Sequence, residues 1–336
     1  MKTLYSFVGA FVLFCSCLCS CSGKEVPSNG KETEDLPEVM VKFISEGSKE
    51  TFQVALQDET VPSKYFIVSL NHYKDLSEEK YMNLWRINGA VLALWKDGNF
   101  TTLVDRLLTD GENECVIRDY SDESTMADFT GGFHGDERID IEEGCGVEFL
   151  ADGKPVDTSA SFEWLPCSKF SYRQLSTLHK TGSKINGSFV ASDHRKIALH
   201  EKVTTFESSS YATRNSLTFS ESLPMYWYCG ICCVGHNLAD RGCNEDMKMV
   251  TFDSSGDNKL DAEGKCEFYA WHDINGIEVF IQDHVLEGAT DLQTRSFIWD
   301  TGNYAKYYKR FPSRGGYEVS EGESFVSEMI VKFAVR

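Results

Sequence analysis

The sequence lacks the short motifs that identify several common enzyme classes. It contains no G-x-S-x-G nucleophile elbow, no P-loop and no glycine-rich dinucleotide fingerprint. Esterase and nucleotide-dependent functions therefore have no support, and we expect no nucleotide partner. A glycosidase would need two facing carboxylates, but with 52 acidic residues almost any pair could be proposed.

Positive charge is also scarce. The 336 residues include 33 lysines and arginines against 52 aspartates and glutamates, and the formal net charge is −19 at pH 7. This excess of negative charge opposes general binding to nucleic acids and attraction to an anionic membrane surface. A polyanionic ligand would need a local region of positive charge.

The N-terminal apolar run is too short to cross a bilayer. Residues 8–14 are apolar, follow Lys2 and precede small residues and cysteines, which is the layout of a secretory signal peptide. A bilayer crossing needs about 20 such residues. The run therefore predicts export and not a membrane span.

This leader ends in "LCSC", residues 18–21. The tetrad resembles the lipobox of bacterial lipoproteins, in which the last cysteine is lipidated and becomes the mature N-terminus. The resemblance implies a signal peptide over 1–21, lipidation at Cys21 and a lipid anchor in the bacterial cell envelope, at the outer membrane and facing the periplasm or the surface. Cys17 or Cys19 as the anchor, and a plain cleaved signal, stay open as alternatives.

A flexible tether follows the leader. Residues 22–38 are polar and rich in glycine, proline, serine and glutamate, so they have almost nothing to bury. The remaining chain, 39–336, shows no second linker and no fixed-period repeat. We therefore expect a single catalytic or binding domain there.

Helical patterns are rare in this domain, and strand patterns are frequent. Only residues 75–85 have a convincing helical start, whereas runs such as "KYFIVSL" and "AVLALW" alternate with turn residues. Asp97-Gly98 and Asp152-Gly153 are typical of hairpin turns. The sequence predicts an all-β fold, an antiparallel two-sheet sandwich of jelly-roll type.

Two segments contain no acidic residue at all. The first lies between Glu163 and Asp193, and the second between Asp300 and Glu318. Both mix cations with aromatic rings, as a groove for an acidic polysaccharide would require, although two solvated strands are the plain alternative. The predicted substrate-binding residues are Lys169, Tyr172, Arg173, Lys180, Lys306, Lys309 and Arg310.

The segment "TGGFHGDERID", residues 130–140, places His134 among glycines that permit unusual backbone conformations. β-Elimination from a uronic-acid glycan needs a group that neutralises the carboxylate, a base for the C5 proton and an acid for the leaving oxygen. A tight surface turn is the alternative interpretation of this segment. The predicted catalytic residues are His134 as base or neutraliser, Arg138, Gln174 and His179 as partners of the carboxylate, and Tyr304 or Tyr307 as acid.

The lipidated leader, the all-β domain and the late segment "GNYAKYYKR" together resemble the single-domain jelly-roll polysaccharide lyases that gut Bacteroidota secrete. In that family a C-terminal strand brings lysine and tyrosine into the groove. The resemblance implies cleavage of an acidic polysaccharide by β-elimination. A non-catalytic surface glycan-binding lipoprotein, and a mutarotase-like or glycosidase-like sandwich, remain as alternatives.

Metal and cofactor sites are weakly indicated. Residues 253–263 are rich in oxygen donors and leave Ca²⁺ open, although they lack the regular spacing of a calcium loop; we otherwise expect no cofactor. One cysteine group has spacing that could hold zinc, but it lies in an apolar run typical of a buried strand, so structural cysteines or a disulfide from Cys243 to Cys232 or Cys233 are favoured. The group comprises Cys229, Cys232, Cys233, His236 and Cys243.

Overall fold

β-Strands joined by turns make up all the regular secondary structure that can be described. The computed structural model describes residues 36–74, 84–109, 116–119, 128–130, 142–179, 183–185, 188–190, 195–235, 241–244, 249–250, 259–264, 267–288, 294–300, 304–312 and 316–336. The signal peptide, Cys21, most of the tether and residues 75–83 of the predicted helix lie outside these ranges. Leu36–Arg336 form one unit by their mutual contacts.

The described residues contain twenty-five strands. In chain order the first thirteen are β1 Val39–Glu46, β2 Lys49–Gln57, β3 Lys64–Tyr73, β4 Arg86–Lys96, β5 Asn99–Thr109, β6 Val116–Asp119, β7 Asp128–Thr130, β8 Glu142–Ala151, β9 Lys154–Pro155, β10 Phe162–Cys167, β11 Lys169–His179, β12 Ser183–Ile185 and β13 Ser188–Val190. The others are β14 Lys196–Glu207, β15 Ser210–Phe219, β16 Leu223–Val234, β17 Arg241–Asn244, β18 Met249–Val250, β19 Lys259–Gly264, β20 Glu267–Ile274, β21 Ile277–Glu287, β22 Thr294–Asp300, β23 Ala305–Phe311, β24 Tyr317–Val319 and β25 Ser324–Val335.

Two large antiparallel sheets contain nearly all of these strands. The first sheet has the order β10-β1-β2-β3-β4-β5-β16-β23-β22-β19, with β6, β7 and β24 attached beside β16. The second sheet has the order β18-β17-β20-β21-β25-β15-β14-β11-β8-β9, and β12 pairs with β13 separately. The predicted all-β, two-sheet antiparallel sandwich is confirmed. Among the described residues no helix is long and apolar enough to cross a membrane.

The predicted hairpin turns are also confirmed. Asp97 and Gly98 join β4 to β5 with φ angles of 52° and 80°, and Asp152 and Gly153 join β8 to β9 with φ angles of 49° and 74°. Two-residue hairpins of this type require positive φ at both central positions. The Asp-Gly pairs meet this requirement because glycine has no Cβ and aspartate tolerates the left-handed region.

Aromatic side chains join the two sheets in the larger apolar cluster. Phe52 on β2 packs against Phe43 on β1, with ring centroids 4.8 Å apart, and across the sandwich against Phe149 on β8 and Phe170 on β11, at 4.5 and 5.3 Å. A smaller apolar cluster includes Leu178, Ala198, Leu217, Phe219, Met225, Phe311 and Phe325. The two clusters occupy different positions along the same strands.

Candidate functional site

A row of polar side chains separates the two apolar clusters on the inner face of the second sheet. Gln174 on β11, Lys202 on β14, Asn215 on β15 and Ser327 on β25 are consecutive cross-strand partners. Directly opposed residues of antiparallel strands point to the same face, and at about 4.8 Å per strand these four positions span about 14 Å. We call Gln174, Lys202, Asn215 and Ser327 the polar row.

Along each strand of the row, inward-facing side chains on one side of the row belong to the larger apolar cluster, and those on the other side belong to the smaller one. On β11, Tyr172 belongs to the larger apolar cluster and Leu178 to the smaller one, with Gln174 between them. On β25, Met329 and Phe325 belong to the larger and smaller clusters in the same way, with Ser327 between them. The row is therefore a continuous polar band and not an isolated polar residue in a core.

Two buried donors of the row have no hydrogen-bond partner among the described residues. The Gln174 side-chain Oε1 accepts a hydrogen bond from the main-chain N–H of Trp85 at 2.7 Å, but its Nε2 has no partner there, and neither has Ser327 Oγ. Gln174 is only 2% exposed. A buried polar group left unsatisfied costs about 1–3 kcal/mol, so two such groups in one row mark a place where a water or a ligand can accept their hydrogen bonds.

Lys202 gives the row its positive charge. This side chain is 2% exposed and has Gln174 and Asn215 as its cross-strand neighbours. His200, two positions earlier on the same face, donates from Nε2 to Asn215 Oδ1 at 3.0 Å. Lysine is rarely buried to this degree.

Solvent reaches the inner face beside Gln174, at Val147, and at Asn215 of the row. Val147 on β8 is the direct partner of Gln174 and points to the same face, yet it is 43% exposed. Asn215 is also partly exposed, although Thr213 and Leu217 on either side of it along the inner face of β15 are buried. Among the four residues of the row, Asn215 is therefore partly exposed, while Gln174, Lys202 and Ser327 are buried.

The first acid-free segment contributes residues to both faces of β11. Lys169 and Arg173 lie on the outer face, where Lys169 Nζ is 3.1 Å from Glu207 Oε2 and Arg173 is paired with Glu201. Tyr172 and Gln174 lie on the inner face and are buried. His179 is the last residue of the strand.

The second acid-free segment contacts the second sheet at β20 and β21, beyond the Ser327 end of the polar row and away from Gln174. On β23, Tyr307 is hydrogen-bonded to His272 of β20, and Lys309 forms an ion pair with Asp283 of β21; all four side chains are buried. In the second sheet β25, β15 and β14 separate β21 from β11. The two acid-free segments therefore do not meet at one group of side chains.

Lys306 and Tyr304 complete the described part of this segment. Lys306 alternates with Tyr307 and so faces the other side of the first sheet, where burial lowers the pKa of its ammonium group to about 7. Tyr304 directly precedes β23 and is partly buried. Among the other predicted site residues, His134, Arg138, Lys180 and the side chain of Arg310 lie outside the described residues.

Sequence reasoning missed three of the four residues in the row. Lys202, Asn215 and Ser327 lie on three different strands, and none of them belongs to an acid-free segment. A signal for Lys202 was available in "KIALHEKVTTFE", because it occupies the same alternating positions as Ala198 and Phe206. That alternation predicts that Lys202 points inward.

Comparison with known proteins gives only distant structural similarity. No protein-family model and no curated protein sequence matches the chain. Among solved structures, the chain is similar to an Escherichia coli K12 protein assigned as an aldose 1-epimerase, with 12% identity, a TM-score of 0.35 and coverage of 88% of this chain and 100% of that one. A protein from Synechocystis sp. PCC 6803 gives 9% identity, a TM-score of 0.35 and coverage of 92% and 99%.

A heparinase III is also similar, with 10% identity and a TM-score of 0.29. The match covers 93% of this chain but only 37% of the heparinase chain. Because all three identities and TM-scores are low, the function proposed below rests on the residues of this chain.

The buried Asp283–Lys309 pair yields a stability prediction. Asp283→Ala should lower the free energy of unfolding by about 3–5 kcal/mol, because it leaves the Lys309 ammonium buried without its counter-charge. Asp283→Leu combined with Lys309→Met should recover most of this loss. Urea unfolding measures both, with Glu163→Ala, which removes an exposed contact to Lys42, as a control expected to cost under about 1 kcal/mol. Equal losses of unfolding free energy in the single and double variants would contradict the assignment of Asp283 as the counter-charge of Lys309.

The lowered pKa of Lys306 predicts a pH-dependent difference in stability. Between the folded-state pKa of about 7 and the ordinary value of 10.5, the unfolded chain binds more protons at this group, so stability rises with pH across that window. Lys306→Met removes the titration. The free energy of unfolding of the Lys306→Met variant, minus that of the wild type, should be largest at or below about pH 7. This difference should shrink by roughly 2–3 kcal/mol at about pH 9. A difference that stays constant from about pH 6 to 9 would show that the Lys306 pKa is not lowered.

Proposed function

We propose that this chain binds an acidic saccharide at the polar row and cleaves it by β-elimination. The observation that carries the proposal is that the buried Lys202 shares the row with two donors, Gln174 Nε2 and Ser327 Oγ. Neither of these two donors has a partner among the described residues. An acidic oligosaccharide presents carboxylate oxygens and, further along its length, hydroxyl groups. These groups match, in type and charge, the neighbouring Lys202 ammonium and Gln174 amide and the Ser327 hydroxyl at the other end of the row.

Gln174 and Lys202 are the groups that neutralise the substrate carboxylate in this proposal. Charge-assisted hydrogen bonds to a carboxylate are roughly twice as strong as neutral ones, and they gain further strength away from water. Neutralisation makes the adjacent C5 proton more acidic, which is the first requirement for elimination. Gln174 keeps the role that the sequence predicted for it, and Lys202 is added to it as a partner of the carboxylate.

Proton transfer needs further groups beside the carboxylate. Tyr172 and His200 lie on the same inner face as Gln174 and Lys202, each about 7 Å away along its own strand, and either can deliver a proton to the leaving oxygen. For the base we propose His134, which the sequence predicts as base or neutraliser and which lies outside the described residues.

Non-catalytic binding is the second candidate function. It is favoured by the composition of the row itself, which consists of two amides, one ammonium and one hydroxyl and contains no carboxylate. A glycosidase would need two carboxylates at the scissile bond, and the four residues of the row supply none. Binding without formation of an unsaturated uronate would identify this second function.

Attachment to the cell envelope is part of the proposal. The leader and Cys21 would hold the domain on a lipid anchor, with residues 22–38 as the tether. An anchored domain of strongly negative charge would avoid nucleic acids and would select an acidic polysaccharide only through the row.

Gln174→Glu tests binding, with Arg173→Gln as its matched control. The glutamate keeps an oxygen acceptor for Trp85 N–H but removes the amino donor and pairs with Lys202, so affinity for uronic-acid oligosaccharides should fall about 10- to 100-fold. Arg173 is the neighbouring residue on the opposite face, and its variant should bind like the wild type. Isothermal titration calorimetry gives both affinities. Loss of binding in Arg173→Gln but not in Gln174→Glu would place the site on the outer face and contradict the proposal.

His134→Ala tests the proton abstraction. This variant should lose about 10²- to 10⁴-fold in turnover, because the C5 proton then has no positioned base, while the affinity for the saccharide changes little. Turnover is followed by the ultraviolet absorbance of the unsaturated uronate product, in parallel with calorimetry. Full activity in His134→Ala would remove this residue from the mechanism.

A further inference from the structure

Glu50, His72 and Lys74 form a charged cluster in the first sheet that is linked to Gln174 through Trp85. His72 on β3 donates from Nδ1 to Glu50 Oε2 on β2 at 2.8 Å, and the second carboxylate oxygen, Oε1, is 2.7 Å from Lys74 Nζ. The imidazole also stacks on the Trp85 indole, with ring centroids 5.1 Å apart and an interplanar angle of 18°. His72 is therefore fixed on one side by a carboxylate and on the other by an aromatic ring.

Trp85 connects this cluster to the polar row. Its main-chain N–H donates to Gln174 Oε1 at 2.7 Å, and its ring is held against Phe149 with centroids 5.0 Å apart. The oxygen and the nitrogen of a carboxamide point in different directions. Fixing Oε1 against Trp85 therefore directs Nε2 away from it.

We propose that His72 is a positioning residue for the saccharide site. By holding the Trp85 ring, His72 and Glu50 hold the Trp85 main chain at the position where it fixes the Gln174 carboxamide, with Nε2 available to the substrate carboxylate. This role rests on the proposed function, because it matters only if Gln174 binds the ligand. The arrangement itself has consequences that can be measured without any ligand.

The test compares His72→Ala with His72→Phe. The alanine removes both the stacking on Trp85 and the hydrogen bond to Glu50, whereas phenylalanine keeps a planar ring against Trp85. The first readout is the side-chain amide NMR signal of Gln174, assigned by its loss in Gln174→Glu. The signal should move in His72→Ala and return close to its wild-type position in His72→Phe. Val279→Ala, a core variant on β21 in the second sheet, should leave the signal in place and so controls for a general loss of stability.

The second readout is affinity for oligogalacturonate, oligoalginate and heparan sulfate oligosaccharides. For the probe that the wild type binds, His72→Ala should weaken binding about 2- to 10-fold and His72→Phe should restore it. A Gln174 signal that does not move in His72→Ala would overturn the positioning role, and so would a His72→Phe variant that behaves like His72→Ala. A wild type that binds none of the three probes would instead count against the proposed function, while the NMR comparison would still decide whether His72 orients Gln174.

Discussion

The alternation of side chains along a β-strand is the constraint on which this candidate site depends. Because successive residues of β11 point to opposite faces, Arg173 reaches Glu201 on the outer surface while Gln174 enters the interior. The same rule carries Lys202, Asn215 and Ser327 to the inner face of their strands. Antiparallel register then aligns these residues into one row.

Burying a row of polar side chains inside a sandwich lowers the free energy of unfolding. Apolar packing on both sides of the row and hydrogen bonds within it offset this loss. The aromatic contacts of Phe52 with Phe149 and Phe170 hold the two sheets together on one side of the row. A separate apolar cluster around Leu217 and Phe325 does so on the other side. Between them, hydrogen bonds such as that from His200 to Asn215 satisfy some of the polar groups. The donors of Gln174 and Ser327 have no partner in this network among the described residues.

Local features of the fold were predictable from the sequence, because each depends on a few neighbouring residues. Asp97-Gly98 and Asp152-Gly153 specify their hairpins through their own backbone preferences, and the recurrent β-branched and aromatic runs indicate strands. The predicted site was only partly recovered. Gln174 belongs to the row and Tyr172 lies next to it on β11, but Tyr307 and Lys309 form buried pairs with His272 and Asp283 beyond the other end of the row. A count of charges along the chain contains no information on cross-strand register, which brings Gln174 and Ser327 into one row.

The crystal structure of the chain with a bound uronic-acid oligosaccharide tests the central claim most directly. The account predicts a carboxylate oxygen at hydrogen-bond distance, about 2.7–3.2 Å, from both Gln174 Nε2 and Lys202 Nζ, with a sugar hydroxyl near Ser327 Oγ. A saccharide bound on the outer face beside Arg173, with Gln174 and Lys202 making no contact to it, would contradict the account.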